Sequence, residues 1–217
     1  MVEKKYIQSI ERAYMITDYI ARKKSAKLNE ICDFTKLKTS TAFGILQTLE
    51  HTGQITKSVD GLTYSLGFNT LRFGLSYLND SNINYKINTL LNEIVKEIDE
   101  TAYFEIQVDK NKFYYLDCVV SSQPLKVVPD EKKYINLPDN SAVAKLFNTN
   151  EELEYATDLE EVSEGLNCFA MPYKTGGKLV GCIALTGPSY RFTKDKMENA
   201  HQSYLKIMKR LGLENHI

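Results

Sequence analysis

The first third of this 217-residue chain constrains its fold more than any other part. Residues 28–35 form a short amphipathic segment, and residues 38–53 carry apolar side chains at helical spacing. Two β-type segments, residues 55–59 and 62–66, then flank Asp60-Gly61, a sequence favoured in type I′ hairpin turns. Two short helices followed by a β-ribbon predict a winged helix-turn-helix.

The segment at residues 38–53 has one apolar and one polar face. Ala42, Ile45, Leu46 and Leu49 follow the i, i+3, i+4, i+7 spacing of a helix side that packs on a core. We expect the opposite face, which is rich in hydroxyl groups and carries one aromatic ring, to point outward. Its members are Lys38, Thr39, Ser40, Thr41, Phe43, Gly44, Gln47 and Thr48.

This outward face suits contacts with double-stranded DNA. The Ser40 and Thr41 hydroxyl groups can donate hydrogen bonds to phosphates. Gln47 can pair with an adenine edge, and Phe43 can contact a thymine methyl group. A solvated helix face could have the same composition, but the order of helices and ribbon favours a DNA-reading surface.

The charge distribution agrees with a polyanionic partner for the first part of the chain. Residues 1–66 hold ten Lys and Arg and seven Asp and Glu, a balance of +3, whereas residues 67–217 hold 17 and 21, a balance of −4. Lys38, at the helix start, and Lys57, on the ribbon, are expected to contact phosphates, where counterion release supplies affinity. Chance variation could produce the same asymmetry, so charge supports the interpretation without deciding it.

Composition argues against several other classes of protein. A hydrophobic fraction of 43% is ordinary for a globular chain, and the apolar runs are about half as long as the ~20 residues of a membrane span. The charged N-terminal residues show no secretory signal, and Cys32, Cys118, Cys168 and Cys182 form no C-x-x-C pair. We therefore expect a cytoplasmic protein in a reducing compartment, with no membrane partner.

The pattern changes along the rest of the chain. Residues 70–78 predict a connecting helix, and a longer helix follows from Ile83 to Ile98. Further helices are expected to start near Asn140-Ser141 and to span residues 194–211. Between these helices a period of two predicts strands at residues 103–108, 112–119, 125–128, 166–173 and 178–186. The sequence therefore predicts an α+β chain, in which a helical linker joins the first domain to a mixed sheet flanked by helices.

Short motifs follow one another in a fixed order along nearly the whole chain. In the first part they are Ser9-Ile10-Glu11-Arg12-Ala13, Leu28-x-Glu30-Ile31, Leu37-x-x-Ser40-Thr41, Leu46-x-x-Leu49 and Tyr64-Ser65-Leu66-Gly67. In the second part they are Tyr115-Leu116-Asp117, Ser141-Ala142-x-Ala144-Lys145, Gly165-x-x-Cys168-x-Ala170-x-Pro172 and Gly181-x-Ile183-x-Leu185-x-Gly187-Pro188-x-x-Arg191-Phe192-Thr193. No single motif is decisive, but in order and spacing they resemble the IclR (isocitrate lyase regulator) transcription factors.

The resemblance implies three parts: a winged helix-turn-helix DNA-binding domain at residues 1–68, a linker helix at 69–80, and a GAF-like mixed α/β effector-binding domain at 81–217. It also implies a homodimer, often a dimer of dimers, on a near-palindromic DNA operator. The first helix and the linker would form the dimer, and Leu71, Leu75 and Leu78 are consistent with that, although packing on their own domain is equally compatible. We expect a repressor that a small metabolite modulates, without a cofactor.

Three positions depart from the family pattern. Gly44 stands where the recognition helix usually carries a basic residue, and it costs about 1 kcal/mol of helix propensity relative to Ala. Asp139 lies where a histidine usually precedes the pocket helix. Between Phe147 and Asp158 the chain is shorter than the pattern, which predicts a missing helical segment around residues 148–158. We therefore expect an operator preference of its own.

We expect an effector pocket between the sheet and the start of the helix at Ser141. Free N–H groups at a helix start favour an anion, which predicts a small organic acid as effector. Of the basic residues, only Lys145 could form part of a clamp, and Leu125 and Val127 could close an apolar wall. By resemblance, the rest of the lining is Ser141, Ala142, Val143, Asp158, Leu166, Cys168 and Ala184. Ordinary core packing would explain Cys168 and Ala184 equally well.

Other functions remain compatible with the sequence. A thiol-redox-responsive regulator, or a GAF-type redox enzyme, would use Cys118, Cys168 and Cys182, and would need a thiolate of lowered pKa beside a basic group. These cysteines lie in apolar strand patterns, which predicts buried and inert thiols. The three histidines are too far apart to assemble a zinc or Cys–His site from spacing alone, so we expect neither an enzyme nor a metal. A protein-interaction module that has lost DNA binding is a further alternative, motivated by Gly44.

Overall fold

The structure, a computed structural model, describes residues 6–78, 81–129, 133–149 and 151–217, and the side chains at 78 and 81–83 lie outside this description. The chain forms two compact units, Met1–Asp80 and Ser81–Ile217. The helix of the predicted linker belongs to the first unit. The division into residues 1–68, 69–80 and 81–217 stays a prediction.

The first unit has the predicted order of helices followed by a β-ribbon. Its elements are α1 (Gln8–Lys23), β1 (Ala26–Lys27), α2 (Leu28–Thr35), α3 (Thr39–His51), β2 (Ile55–Lys57), β3 (Thr63–Leu66) and α4 (Phe68–Leu78). The strand β3 lies between β1 and β2 in an antiparallel sheet, which pairs Ala26 with Tyr64 and Ile55 with Leu66. This arrangement is a winged helix-turn-helix.

One side of each of the first three helices builds the core of this unit. Ile16 and Ile20 of α1, Ile31 of α2 and Leu46 of α3 are completely buried. Ile55 and Tyr64 of the ribbon close the same cluster. Because α3 buries only its apolar stripe, its polar face takes no part in this core.

The wing turns differently from the prediction. A type I′ turn needs a positive φ at both central residues, but Gly61 has φ +72° whereas Asp60 is not among the residues with positive φ. The Gly61 N–H donates to the Ser58 carbonyl at 2.8 Å, and the Ser58 hydroxyl donates to the Asp60 carboxylate at 2.5 Å. The side chain of Ser58, which the turn signal did not weigh, therefore holds a longer loop.

A close backbone approach fixes the start of α4. The N–H of Gly67 donates to the Gln54 carbonyl at 2.8 Å, and a Cβ at this position would overlap the Gly53 carbonyl oxygen. The Asn69 amide donates to the Thr52 carbonyl at 2.7 Å. The beginning of α4 is therefore tied to the turn that follows α3.

The second unit is an antiparallel sheet with helices on both faces. Its elements are α5 (Ser81–Ile98), β4 (Thr101–Asp109), β5 (Lys112–Val119), β6 (Tyr134–Asn136), α6 (Ala142–Asn148), β7 (Ala156–Leu159), β8 (Leu166–Thr175), β9 (Lys178–Pro188), α7 (Lys194–Arg210) and a short 3₁₀ turn, Glu214–His216. Among the described residues the strand order is β6-β5-β4-β9-β8-β7, and each neighbouring pair is antiparallel.

Alternation along the strands divides the core into two layers. Ala102 and Phe104 of β4 belong to the cluster that contains the buried residues of α5 and α7. Tyr103 of the same strand, with Ala170 and Cys182, belongs to the cluster that contains α6. The face that carries α6 is the face on which the predicted pocket residues lie.

The predicted strand at residues 125–128 is wrong. β4 already pairs with β5 on one side and β9 on the other, so no free edge of β4 is left for this segment. Side chains hold it instead, because the Thr101 hydroxyl donates to the Val127 carbonyl at 2.7 Å and the Gln123 amide donates to the Asp99 carboxylate at 2.5 Å. The short edge strands β6 and β7 were not predicted.

Candidate DNA-reading helix and effector cavity

The outward face of α3 is available for contacts with another molecule. Lys38 is the residue before the first turn of the helix, and the buried residues Ala42 and Leu46 face the core. The predicted DNA-contacting residues lie on the other side. Lys38, Thr39, Ser40, Phe43, Gly44 and Gln47 are exposed, and Thr41 is half-buried.

The start of α3 is electrostatically suited to a phosphate. No side chain caps the helix, and its first turn contains no acidic residue. Unpaired N–H groups and the helix dipole make such an end favourable for an anion. Lys36 and Lys38 are exposed directly before it, so positive charge accompanies the hydroxyl groups of Ser40 and Thr41.

The wing adds a further basic side chain. Lys57 is exposed at the end of β2, and its ammonium nitrogen lies 5.6 Å from the centre of the Tyr64 ring. This cation–π contact orients the side chain at the ribbon while leaving the charge in solvent. The position agrees with the phosphate contact expected from the sequence.

A cavity of about 190 Å³ lies between the sheet and the start of α6. It includes eight of the nine residues predicted for the effector pocket: Val127, Ser141, Ala142, Val143, Asp158, Leu166, Cys168 and Ala184. Leu125 is not part of the lining and is 61% exposed, so its assignment to the apolar wall is wrong. The failure of the predicted strand explains this, because Val127 reaches the sheet through Thr101 whereas Leu125 remains in the exposed loop.

The start of α6 does not offer the anion site that the sequence suggested. The helix has only seven residues. Its first N–H groups are partly used, since Ala144 donates to the Ser141 hydroxyl at 3.1 Å and Lys145 donates to the Ser141 carbonyl at 2.9 Å. Ser141 therefore lines the cavity mainly as a helix cap.

Two carboxyl groups line the cavity instead. Glu105 is 3% exposed, and its Oε2 atom is buried without a hydrogen-bond partner. Burial raises the pKa of this carboxyl group to about 8. Asp158 is 2% exposed, and one of its oxygens accepts hydrogen bonds from the N–H groups of Glu161 at 2.8 Å and Val162 at 3.2 Å.

An aromatic pair forms another part of the wall. Tyr103 and Tyr115 stack with ring centres 4.8 Å apart, and both belong to the lining. Burial raises the pKa of the Tyr103 phenol above its ordinary value, so this hydroxyl group stays protonated. The cavity therefore combines flat apolar surfaces with acidic groups.

Among the residues that the structure describes, no basic side chain belongs to this lining. Lys145 donates to the Thr157 carbonyl at 2.9 Å and pairs with Glu161 at 2.6 Å. Its ammonium group is thus engaged outside the cavity. The clamp that Lys145 was expected to provide for an organic acid is not formed.

The cysteine geometry does not favour redox chemistry. Burial raises the pKa of both Cys118 and Cys168 to about 11, and raises that of Cys182 well above its ordinary value. A reactive cysteine needs the opposite shift. Over the described ranges, no group of histidine, cysteine and acidic side chains is arranged to hold a metal ion.

Sequence reasoning missed Glu105, Tyr103 and Tyr115. A signal for Glu105 was present, because it is a charged residue inside an otherwise apolar strand pattern. An acid in such a place is buried only when it has a partner or a function. The tyrosines gave no comparable signal, since aromatic residues are common in strands.

The first unit matches a known family of domains. The family description "IclR helix-turn-helix domain" matches residues 9–58, which span α1 to the end of the wing strand β2. KdgR of Escherichia coli K12, named an HTH-type transcriptional regulator, is 18% identical over 97% of this chain and 95% of its own length. Residues 9–58 therefore match an IclR helix-turn-helix domain.

A further relative and two solved structures are similar to this chain. The HTH-type transcriptional repressor AllR of E. coli K12 is 35% identical, over 37% of this chain and 31% of its own. An IclR-family regulator from Brucella abortus has a TM-score of 0.61 at 15% identity, covering 97% of this chain and 93% of that one. The Thermotoga maritima IclR has a TM-score of 0.50 at 20% identity, covering 96% and 100%.

KdgR is named a transcriptional regulator and AllR a transcriptional repressor, and neither name describes an enzyme. In the described part of the chain, no helix is both long and apolar enough to cross a membrane.

Proposed function

We propose that this regulator binds a double-stranded DNA operator through α3, and that a small metabolite in the cavity of the second unit modulates this binding. The observation that carries the proposal is the outward face of α3 inside an IclR helix-turn-helix domain. This face carries donors and an aromatic ring that the core does not use. AllR is named a repressor, so repression is the proposed direction of control.

The proposed contacts are of two kinds: phosphate contacts position the protein on the duplex, and base contacts read its sequence. Lys38 and Lys57 would neutralise phosphates, and Ser40 and Thr41 would donate to phosphate oxygens. Thr39 and Gly44 lie on the same exposed face of α3 and would border these contacts. Gln47 would pair with an adenine edge, and Phe43 would contact a thymine methyl group.

A homodimer makes this reading specific, because one short helix contacts too few base pairs. The support within this chain is a set of exposed apolar side chains on the two helices proposed to form the dimer. In α1 they include Ile10 and Tyr14, and in α4 they include Phe68, Leu71 and Leu75. Leu78, the third leucine of the expected α4 contact, has a side chain outside the described part of the structure.

We also propose that the protein acts in the cytoplasm, and that two dimers can associate on longer operators. The cavity supports a ligand of limited size, since it measures about 190 Å³. An organic acid is not favoured, because the described residues of the lining include two carboxyl groups and no basic side chain.

Retention of genomic DNA fragments by the full-length protein, followed by footprinting of the enriched fragment, tests the proposal. We expect a protected site bound at least 10³-fold more tightly than a scrambled duplex of the same length. Its affinity should fall between about 50 and 200 mM salt, by roughly one unit of log–log slope per phosphate contact. Equal affinity for the two duplexes would overturn the proposal in favour of an interaction module.

A further inference from the structure

The buried carboxyl group of Glu105 is the least explained polar group of the second unit. Within the described part of the chain, its Oε2 atom has no hydrogen-bond partner although it lies in the core, and the residue lines the cavity next to α6. Burying such a group without a hydrogen-bond partner costs the full free energy of its desolvation, because the lost hydrogen bonds to water are not replaced. A protein that only needed to fill this space would gain stability from an apolar side chain of the same size.

The surroundings of Glu105 define the chemistry of a missing partner. Asp158 presents a second buried carboxyl group to the same cavity, and one of its oxygens accepts the hydrogen bonds from the N–H groups of Glu161 and Val162. Among the described residues, the lining contains no lysine or arginine. A ligand with a carboxylate would therefore face the Asp158 carboxyl group without a compensating charge, whereas a ligand with a cationic nitrogen could donate hydrogen bonds to both Asp158 and Glu105.

The remaining walls suit the body of such a ligand. The stacked pair Tyr103–Tyr115 offers aromatic faces, which attract cations as well as apolar groups. Val127, Val143 and Leu166 complete an apolar surface. A cavity of about 150 Å³ can hold a benzene ring, so the present volume of about 190 Å³ accommodates a ring with one short substituent.

We infer that the effector of this regulator is a small compound with an apolar body and a cationic nitrogen, and that the nitrogen donates hydrogen bonds to Glu105 and Asp158. This inference rests on the proposed function, since it names the chemical class of the metabolite that the cavity binds. The ammonium, amidinium and guanidinium groups share the required charge and donors.

Binding has a defined proton balance. The free cavity holds Glu105 protonated at neutral pH, because its pKa is raised to about 8. An ammonium ligand stabilises the carboxylate, so the O–H bond of Glu105 breaks and its proton leaves to solvent while the ligand remains charged. The other titratable groups around Glu105 are Tyr103 on the same strand, Tyr115 and Cys118 on β5, Asp158 on β7, Cys168 on β8 and Cys182 on β9.

Calorimetric titration of the full-length protein with benzylamine, benzyl alcohol and benzoate tests the inference at pH 7. The three probes share a ring and differ in charge. We expect saturable binding of one benzylamine per chain, at least tenfold weaker binding of benzyl alcohol, and still weaker binding of benzoate. Titration in two buffers of different ionisation enthalpy should show release of close to one proton per benzylamine. Tighter binding of benzoate, or no binding of benzylamine, would overturn the inference.

Paired variants locate the binding event. Glu105→Gln keeps the size of the side chain and removes its ability to become charged. It should weaken the binding of benzylamine at least tenfold, abolish proton release on binding and remove the preference for benzylamine over benzyl alcohol. Glu97 is an exposed acid on α5, and Glu97→Gln is the control. It should leave benzylamine affinity, proton release and the preference over benzyl alcohol unchanged. Equal binding to wild type and Glu105→Gln would overturn the inference. Operator binding measured without any probe tests the proposed function separately. The proposed DNA binding and the inferred class of effector can therefore fail independently of each other.

Discussion

Glu100 and Arg191 form a bidentate ion pair although 91 residues separate them in the sequence. The guanidinium group donates to the two carboxylate oxygens at 2.8 and 2.9 Å, and the Lys196 ammonium group adds a third bond at 2.8 Å. Glu100 is completely buried. The pair joins the start of β4 to the loop before α7, and it raises the pKa of Arg191 above its ordinary value.

Removal of one partner should strongly destabilise the second unit. Arg191→Met leaves the buried Glu100 with Lys196 alone, and breaking such a pair costs about 3 kcal/mol. Urea denaturation followed by circular dichroism measures the change. Arg22→Met, which breaks an exposed i, i+4 pair with Asp18, is the matched control and should change stability by less than about 0.5 kcal/mol. Similar effects of the two variants would contradict a structural role for the Glu100–Arg191 pair.

The stability of the ligand-free protein should fall as pH rises through the neutral range. The pKa of Glu105 is about 8 in the folded protein, against an ordinary value of 4.5. Its stabilising contribution is therefore fully present below about pH 4.5 and is lost toward pH 8, because the unfolded chain releases this proton first. The expected slope from this group is at most about 1.4 kcal/mol per pH unit.

The Glu105→Gln variant isolates this contribution. Its free energy of unfolding relative to wild type should be greater at pH 8 than at pH 5, by more than about 1 kcal/mol. Urea denaturation at both pH values gives the comparison. A difference that does not depend on pH would mean that Glu105 is ionised in the folded protein.

Gly44 can be replaced without a steric penalty. A Cβ at this position meets no atom within 4 Å, and the residue lies exposed within α3. Gly44→Ala should therefore raise the free energy of unfolding by about 0.5–1 kcal/mol through helix propensity. Gly67→Ala is the opposite case, since its Cβ would overlap the Gly53 carbonyl, and it should be destabilising. Loss of stability in Gly44→Ala would show that α3 ends or bends near this residue.

The basic residues of the first unit should act on DNA affinity irrespective of sequence. Lys38→Ala and Lys57→Ala should each weaken binding to the footprinted operator and to a scrambled duplex by similar factors. Each should also lower the salt slope by about one unit. Lys206→Ala, an exposed position on α7, is the control and should leave affinity and slope unchanged. An unchanged slope in both Lys38→Ala and Lys57→Ala would remove these residues from the interface.

The helices were more predictable than the edges of the sheet. Ala42 and Leu46 identified α3 because residues at helical spacing in the sequence are buried together on one side of the same helix. The strand expected at residues 125–128 failed because its apolar residues had no free strand to pair with. Short edge strands such as β7 depend on a partner far away in sequence, in this case β8, so local pattern is a weak guide to them.

The residues of the candidate site differed in the same way in how far the sequence predicted them. Cys168 and Ala184 were assigned through the resemblance, and they line the cavity beside the helix that Ser141 caps. Leu125 failed with its strand. Glu105 was missed because the alternation of apolar residues along β4 shows it only as a single polar exception. The packed sheet is needed to show that its carboxyl group is buried without a hydrogen-bond partner among the described residues.

Base preference of the operator tests the central claim most directly, namely that the outward face of α3 reads DNA in two symmetric copies. Every base pair of the footprinted operator is varied singly, and affinities are measured for wild type, Gln47→Ala and the exposed control Gln202→Ala. We expect Gln47→Ala to relax preference by about 1–3 kcal/mol at two symmetry-related base pairs and nowhere else, while Gln202→Ala matches wild type. An identical preference profile for Gln47→Ala and wild type at every position would contradict the claim.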